Sequence, residues 1–564
     1  MGTLDWLVIG IFFLALIGII VWVVRQKQNN SADYFLGGRD ATWLAIGASI
    51  FASNIGSEHL IGLAGAGASS GMAMAHWEIQ GWMILILGWV FVPFYSRSMV
   101  YTMPEFLERR YNPQSRTILS VISLISYVLT KVAVTVYAGG LVFQQVFGIK
   151  ELWGIDFFWI AAIGLVLLTA LYTIFGGMKS VLYTSVLQTP ILLLGSLIIL
   201  VLGFRELGGW DEMMRICGAV TVNDYGNTMT ELIRSNNDPN FPWLGALIGS
   251  AIIGFWYWCT DQFIVQRVLS GKNEKEARRG TIFGAYLKLL PVFLFLIPGM
   301  IAFALHQKYL GAGGEGFLPL LANGTANADA AFPTLVAKLL PAGVKGLVVC
   351  GILAALMSSL ASLFNSSAML FTIDFYKKYR PKASEKTLLY VGRVATVVVV
   401  VLGILWIPVM KSVGSVLYNY LQDVQSVLAP GIAAAFLLGI CSKKATPKGG
   451  MWGLIAGFII GITRLGAKVY YTSGATFSDS WFKYLFYDTN WLFFCGGMLL
   501  FCMLVIVVVS RFTTPAPAEQ IVGLTFGSTT DEQKAVTRAS WNKWDVIHSA
   551  IIILITVVFY WYFW

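Results

Sequence analysis

Residues 49–62 read SIFASNIGSEHLIG and lie inside an apolar segment that runs from about residue 43 to residue 68. Asn54, Glu58 and His59 bring polar or ionisable groups into about one and a half helical turns, and two glycines weaken the helix there. Inside a membrane, such groups are tolerated only where they face protein or a water-filled cavity. We therefore predict that a membrane-spanning helix breaks here and that its freed oxygens can bind a sodium ion and a polar solute. The alternative is a kinked helix whose polar groups pair with one another.

The composition is that of a protein built inside a membrane. Of the 564 residues, 57% are hydrophobic and only 12% are charged, whereas soluble proteins are about 25% charged. A spanning helix needs about 20 apolar residues. The segments that meet this need are residues 5–24, 42–69, 73–97, 117–146, 156–175, 180–204, 242–266, 280–305, 333–375, 387–409, 412–440, 449–470, 485–510 and 543–564. We predict an all-α, multi-pass protein of the cell membrane with about 14 transmembrane helices.

Basic residues are concentrated in alternate loops between these segments. About 25 lysines and arginines fall in one set of loops and about nine in the other. Because positively charged loops stay in the cytoplasm, the first set is predicted to be cytoplasmic. Both termini and the loop 205–241 are then predicted to be external, and the polar segment 510–542 becomes an internal linker before the last span.

Charged and amide residues fall inside several spans, close to an aromatic run at residues 255–258. A monosaccharide presents hydroxyls and flat C–H faces, so its site needs carboxylate, amide and amine groups beside an aromatic surface. The residues that offer this combination are Asn54, Glu78, Tyr257, Trp258, Lys288 and Gln422. The alternative is that Glu78 and Lys288 form a separate structural pair and that the aromatic residues belong to the core.

A second candidate site lies in residues 354–367, which read AALMSSLASLFNSS. Paired hydroxyls opposite a broken helix suit a small, hard cation, which prefers oxygen ligands. Small residues in membrane helices more often serve close helix packing, and the residue types alone favour that interpretation.

Five short motifs carry a resemblance to a known family. They are YFLGGR at 34–39, ASNIGS at 52–57, YTMPEFL at 101–107, WYWCTDQ at 256–262 and DFY at 374–376. With these motifs, nearly the whole chain resembles the sodium/solute symporter family, and within it the sodium/glucose cotransporters. The resemblance implies a five-plus-five inverted repeat, as in leucine transporters, related by an axis in the membrane plane.

The resemblance also implies a division of the chain. Residues 1–41 would form a peripheral N-terminal helix and a cytoplasmic linker. Residues 42–440 would form the transporter core, with repeat one at about 42–204 and repeat two at about 242–440. Residues 441–564 would form three peripheral C-terminal helices.

Site residues follow from the resemblance as well. The substrate site would comprise Asn54, His59, Glu78, Tyr257, Trp258, Lys288 and Gln422. The gates would be Trp77 and Tyr418 on the external side and Tyr257 on the cytoplasmic side. Sodium would bind the carbonyls of Ala52, Ile55 and Ala355 and the hydroxyls of Ser358 and Ser359, which favours the cation site over simple packing.

Two departures from the family bear on the number of ions. Members with a second sodium site carry an Asp in the sixth span and a Thr after the serine pair, whereas this chain has Ser185 and Ala361. We therefore expect the symport of one sodium with one glucose or galactose molecule by alternating access, and no enzymatic activity. The alternatives are another solute (myo-inositol, a sialic acid or an amino acid) or a sugar sensor or channel without coupled uptake. Only four histidines are present, which argues against a haem-binding or proton-pumping subunit.

Overall fold

The computed structural model describes residues 2–26, 28–56, 58–321, 324–413, 417–472 and 481–564. For residues 129, 130, 145, 409–413, 417–421, 423 and 472 it describes the backbone alone. About 80% of the chain is helical. A single short hairpin pairs strands Glu151–Leu152 and Ile155–Asp156 in antiparallel register among the described residues.

Helices make up most of the chain, with longer connections after Gly218 and after Gly311. In the first part of the chain the α-helices are Thr3–Arg25, Ser31–Leu36, Trp43–Asn54, Ala64–Ser70, Ala75–Glu78, Gly81–Ile86, Val92–Ser98, Met103–Arg110, Pro113–Ser126, Ala133–Phe147, Phe157–Leu207 and Trp210–Gly218. In the second part they are Trp243–Phe255, Gln262–Leu269, Glu274–Lys288, Ile297–Gly311, Ala331–Leu339, Val344–Met369, Lys377–Tyr379, Glu385–Val413 and Leu417–Cys441. In the last part they are Pro447–Thr472, Trp481–Lys483, Trp491–Arg511, Ala518–Ile521, Asp531–Ala539 and Lys543–Tyr562.

Wider or tighter helical turns interrupt several of these helices. The π-helical segments are Glu58–Leu63, Leu87–Phe91, Tyr127–Val132, Trp256–Thr260, Val292–Leu296, Leu370–Tyr376 and Tyr484–Asp488. Segments of 3-10 helix are Gly37–Arg39, Gly71–Met74, Ala328–Ala330 and Phe526–Ser528. A π-helical turn widens a helix locally and is often found at functional sites.

Eleven helical stretches of the described residues are long and apolar enough to cross a membrane. One of them, Phe157–Leu207, contains a break at Gly177, whose φ of 55° and ψ of −150° are outside the helical range. This break falls between the predicted spans 156–175 and 180–204. Two shorter apolar helices, Trp43–Asn54 and Ala133–Gln144, add to the membrane-embedded part. The all-α membrane class is confirmed, and the number of 14 spans stays a prediction.

Burial separates central helices from outer ones. In the apolar parts of Val344–Tyr379 and Glu274–Gly311, 89% and 83% of the residues are buried. In those of Thr3–Arg25 and Lys543–Tyr562, only 22% are buried. Helix Trp43–Asn54 packs against the central pair and against Phe157–Leu207. The interior therefore surrounds the first broken helix, while the first and last helices present most of their surface to lipid.

Glycines allow two helices to approach closely beside this interior. A Cβ on Gly67 would lie 2.2 Å from the Leu296 carbonyl oxygen, and one on Gly299 would lie 1.9 Å from the Ala64 carbonyl oxygen. Both distances are far below van der Waals contact, so only glycine fits at either position. This is the small-residue packing that membrane helices use in place of a hydrophobic driving force.

Candidate functional site

The predicted helix break is present. Helix Trp43–Asn54 ends at Asn54, Ile55 adopts an extended conformation (φ −78°, ψ 111°), and the chain resumes as the π-helical turn Glu58–Leu63. Among the described residues, no backbone N–H donates to the carbonyl oxygens of Ala52 or Ile55. Backbone hydrogen bonds of the described residues therefore leave these two oxygens open to a ligand.

A cavity of about 70 Å³ lies beside this break. This volume is small beside that of most small-molecule sites, which is about 300–1,000 Å³. Its wall includes every residue predicted for the substrate site: Asn54, His59, Glu78, Tyr257, Trp258, Lys288 and Gln422. Residues that are up to 368 positions apart in the chain are therefore brought to one cavity. Their role in substrate binding stays a prediction.

Four of these residues form a charged cluster, which we define as Asn54, His59, Glu78 and Lys288. Lys288 Nζ lies 2.5 Å from Glu78 Oε2, and His59 Nε2 lies 3.3 Å from the same oxygen. Asn54 Nδ2 lies 3.4 Å from His59 Nε2. All four side chains are almost fully buried, so removing either charge would leave the other in a medium of low polarity.

The structure agrees in part with both interpretations of Glu78 and Lys288, the solute site and the structural pair. The residues do form an ion pair, and the pair lies in the wall of the cavity rather than apart from it. A ligand that enters can therefore exchange hydrogen bonds with a carboxylate and an ammonium group whose positions are already fixed.

Aromatic rings complete the wall. Tyr257 and Trp258 lie in the π-helical segment Trp256–Thr260, their ring centroids are 4.9 Å apart, and their planes are perpendicular. The extra residue of a π-helical turn changes which faces consecutive side chains occupy, and both rings reach the same cavity. Lys288 Nζ lies 5.4 Å from the Trp258 ring centroid, within the range of a cation–π contact.

The predicted gate residues have different outcomes. Trp77 is buried, lines the cavity and stacks on Trp491 with centroids 5.6 Å apart. Tyr257 is half-buried at the cavity wall. The side chain of Tyr418 lies outside the described part of the chain. Whether any of the three acts as a gate stays a prediction.

Sequence reasoning missed a second ion pair in the cavity wall. Lys131 Nζ lies 2.6 Å from Asp261 Oδ2, and Tyr127 donates its hydroxyl hydrogen to Oδ1 of the same carboxylate. Lys131 lines the cavity, and its ammonium is 4.7 Å from the ring centroids of both Tyr257 and Phe263. A lysine inside the span 117–146 was the available signal, since charges in spans are rarely incidental.

Two other wall residues were also missed. Glu58 and Gln80 both line the cavity. Each follows a break in helical structure, where the direction of a side chain cannot be read from helical spacing.

The predicted sodium ligands come from two places, the end of helix Trp43–Asn54 with Ile55 just beyond it, and helix Val344–Met369. Ser358 and Ser359 belong to helix Val344–Met369, which packs against Trp43–Asn54. A Cβ on Gly56 would lie 3.2 Å from Ser359 Oγ, so this hydroxyl is next to the broken backbone. Ala52, Ile55 and Ala355 are likewise buried. The arrangement offers neutral oxygen atoms, the ligand type that a hard cation prefers.

Further hydroxyls surround the serine pair. We define the hydroxyl cluster as Ser49, Ser53, Ser185, Ser358, Ser359 and Ser362. Ser185 Oγ lies 3.3 Å from Ser358 Oγ and 3.5 Å from Ser49 Oγ, and Ser53 Oγ lies 2.7 Å from Ser362 Oγ. A charged group also reaches it, because Arg267 donates from Nε to Ser53 Oγ at 3.0 Å.

Comparison with known proteins places the chain among membrane transporters. The sequence model of the Sodium:solute symporter family matches residues 34–457. The chain is 38% identical to sodium/glucose cotransporter 1 of Ovis aries over 91% of its own length and 79% of that protein. It is also 38% identical to sodium/myo-inositol cotransporter 2 of Homo sapiens, over 93% of this chain and 78% of that protein.

A solved structure of a Na+-coupled sialic acid symporter, in a substrate-bound outward-open state, is similar in fold. It has a TM-score of 0.73 and 22% sequence identity, and the match covers 92% of this chain and 99% of that chain. At this identity the likeness establishes the architecture, a leucine-transporter-like helical core.

Proposed function

Because the chain belongs to the sodium:solute symporter family, we propose that it carries a monosaccharide, glucose or galactose, together with sodium by alternating access. The relatives named above are transporters rather than enzymes. The observation that carries the proposal is the cavity, whose wall includes all seven residues expected to bind the sugar.

The chemistry of the cavity suits a neutral polyol. Glu78 supplies a carboxylate that accepts hydrogen bonds, Lys288 an ammonium that donates, and Asn54 and Gln422 amides that do both. Tyr257 and Trp258 offer apolar faces against which the C–H groups of a pyranose ring can pack. The negative charge of Glu78 and the positive charge of Lys288 neutralise each other, so the wall favours an uncharged solute over an anion.

We propose that sodium binds to Ala52, Ile55, Ala355, Ser358 and Ser359 and acts as co-substrate. An ion held between the end of helix Trp43–Asn54 and the serine pair would keep the break in the shape that presents Asn54 to the sugar. Ion binding would thereby favour sugar binding, which is the coupling that symport requires.

The proposed stoichiometry is one sodium per sugar. Ser185 and Ala361 lack the carboxylate and the hydroxyl that a second ion would need, and their side chains are fully buried. With one charge moved, a membrane potential of about 100 mV contributes about 2.3 kcal/mol to accumulation, in addition to the sodium gradient. Sugar accumulation would then be limited to about two to three decades.

Alternating access would use the aromatic residues at the cavity wall. We propose that Trp77 and Tyr418 close the site from outside and that Tyr257 closes it from the cytoplasm. Both termini would be external and the chain would lie in the plasma or inner membrane, in keeping with its basic loops.

Myo-inositol is a second candidate substrate. It is also a neutral polyol with a ring of hydroxyls, and one relative of equal identity is named for carrying it. The same carboxylate, amine and aromatic groups could bind it, so the two candidates differ in fit rather than in chemistry.

The test is uptake of labelled glucose, galactose and myo-inositol into proteoliposomes, with and without an inward sodium gradient. Sodium-driven accumulation of a hexose supports the proposal. Accumulation of myo-inositol alone retains the mechanism and replaces the substrate. Binding of sugar without accumulation under any gradient overturns coupled transport in favour of a sensor or channel.

A further inference from the structure

A second helix break in the cavity wall concerns the stretch that carries Glu78. Helix Ala75–Glu78 ends there, Ile79 and Gln80 have ψ values of 24° and 27°, and helix Gly81–Ile86 begins next. In a continuous helix, residues two apart point to different faces. Here Glu78 and Gln80 both line the cavity. The break therefore adds the side chain of Gln80 to the same wall as the proposed sugar-binding carboxylate.

The orientation of the Gln80 amide is fixed by one hydrogen bond. Its Nε2 donates to the carbonyl oxygen of Ser250 at 2.8 Å. A carbonyl oxygen can only accept, so the nitrogen must face Ser250 and the oxygen Oε1 must point elsewhere. Gln80 is 2% exposed and Ser250 is 3% exposed, so this bond is shielded from solvent.

The Gln80 oxygen Oε1 lies next to Gly254. A Cβ built on Gly254 would be 2.3 Å from Gln80 Oε1 and 2.9 Å from the amide carbon. Both residues line the cavity. The amide of Gln80 therefore occupies the space that any side chain at position 254 would need, and position 254 must be glycine for Gln80 to lie there.

We propose that Gln80 determines substrate specificity by accepting, at Oε1, a hydrogen bond from one hydroxyl of the transported sugar. This inference rests on the proposed function. Because Nε2 is committed to Ser250, the group offered to the ligand is an acceptor. It selects a hydroxyl, and a sugar that lacks the hydroxyl at that carbon leaves a buried oxygen unpaired.

The test measures how 2-deoxy-, 3-deoxy-, 4-deoxy- and 6-deoxyglucose inhibit sodium-driven glucose uptake in proteoliposomes. For each deoxyglucose we take the ratio of its inhibition constant to that of glucose. In the wild type, we expect one of the four ratios to be about ten or more. In Gln80→Ala, that ratio should fall towards one while the other three ratios hold. Because each ratio compares two sugars on the same protein sample, it does not depend on how much of that protein is folded. Gln188→Ala is the matched control, since Gln188 is buried but does not line this cavity.

A second experiment moves the amide group from position 80 to position 254. Gly254→Asn alone should reduce uptake, because its Cβ would displace the Gln80 amide from its present position. Gln80→Ala together with Gly254→Asn removes the collision and returns an amide to the same space, so uptake and discrimination should recover. If Gln80→Ala carries no sugar, this double variant decides, and its continued inactivity overturns the proposal.

The experiments distinguish failure of the proposed function from failure of the proposed role of Gln80. A wild type that accumulates no hexose contradicts the proposed function, and the role of Gln80 falls with it. A wild type that accumulates glucose, with the same four ratios in Gln80→Ala, overturns the role of Gln80 alone.

Discussion

The charged cluster and the hydroxyl cluster both lie next to one helix break, and their chemistry suits different ligands. In the charged cluster, the Glu78 carboxylate lies 2.5 Å from the Lys288 ammonium and 3.3 Å from the His59 imidazole, and the Asn54 amide lies 3.4 Å from that imidazole. In the hydroxyl cluster, the Ser185 oxygen lies 3.3 Å from that of Ser358 and 3.5 Å from that of Ser49, and the Ser53 oxygen lies 2.7 Å from that of Ser362. The first offers fixed donors and acceptors to a neutral polyol, and the second offers neutral oxygens to a small cation.

The difference predicts unequal sensitivity to substitution. A buried ion pair is costly to break, because the remaining charge keeps its desolvation penalty without its partner. A serine hydroxyl contributes one ligand among several, so its loss weakens binding without leaving a charge unpaired. Substitutions in the charged cluster should therefore abolish transport, and those in the hydroxyl cluster should shift ion affinity.

The largest effect is expected for Glu78→Gln. This change leaves the Lys288 ammonium buried without its partner at 2.5 Å, which costs about 3–5 kcal/mol. Sodium-driven sugar uptake should fall more than about 100-fold, since each 1.4 kcal/mol is about tenfold.

The control for this prediction is Glu78→Gln combined with Lys288→Met. The double variant removes both charges and should regain thermal stability while uptake stays absent. Uptake near wild type in Glu78→Gln would mean that the ion pair has no part in binding the sugar.

A tenfold effect is expected in the hydroxyl cluster. Ser359→Ala removes one proposed ligand, and the sodium concentration for half-maximal uptake should rise about tenfold, as loss of about 1.4 kcal/mol implies. Maximal uptake at saturating sodium should change little. Ser367→Ala is the matched control: its hydroxyl is on the same helix, buried, and without a hydrogen-bond partner among the described residues. Equal shifts in the two variants would contradict a ligand role for Ser359.

The contrast between the clusters also explains what the sequence could predict. The break after Asn54 was predictable, because polar residues and glycines inside an apolar segment disfavour a continuous helix that faces lipid. The segment 333–375 is longer than one span needs, which leaves room for the separate helix Ala331–Leu339 before Val344–Met369. Both inferences depend on local composition and on the fixed thickness of a membrane.

Long-range pairing was not predictable in the same way. Lys131 is visible as a charge in a span, but its partner Asp261 is 130 positions away and nothing local links them. Gln80 reaches the cavity only because the helix breaks at Ile79, and the π-helical turn at Trp256–Thr260 shifts the side chains that follow it. Small departures from α-helical geometry decide which residues face the site, and residue spacing does not report them.

The next prediction makes the hydroxyl cluster more like the charged one. Ser185→Asp combined with Ala361→Thr adds a carboxylate at the position whose hydroxyl now lies 3.3 Å from that of Ser358, and a further hydroxyl nearby on the same helix as Ser358. A buried carboxylate without a counter-ion is unfavourable, and a second sodium would neutralise it. The Hill slope for sodium should rise from about one towards two, measured as uptake against sodium concentration. A slope already near two in the wild type would contradict the single-ion stoichiometry.

The smallest effect is expected where the two clusters meet. A Cβ at Gly56 would lie 2.6 Å from Glu58 Oε2 and 3.2 Å from Ser359 Oγ. In Gly56→Ala the Glu58 carboxylate must shift, and the Ser359 hydroxyl must move by a few tenths of an ångström. If the break couples ion and sugar, both half-saturation constants should rise by about threefold together, since linkage makes the effect reciprocal. Gly164→Ala, which has nothing within 4 Å of its Cβ, is the control for adding a methyl group to a membrane helix. A rise in the sodium constant alone would place the break within the ion site and separate it from the sugar.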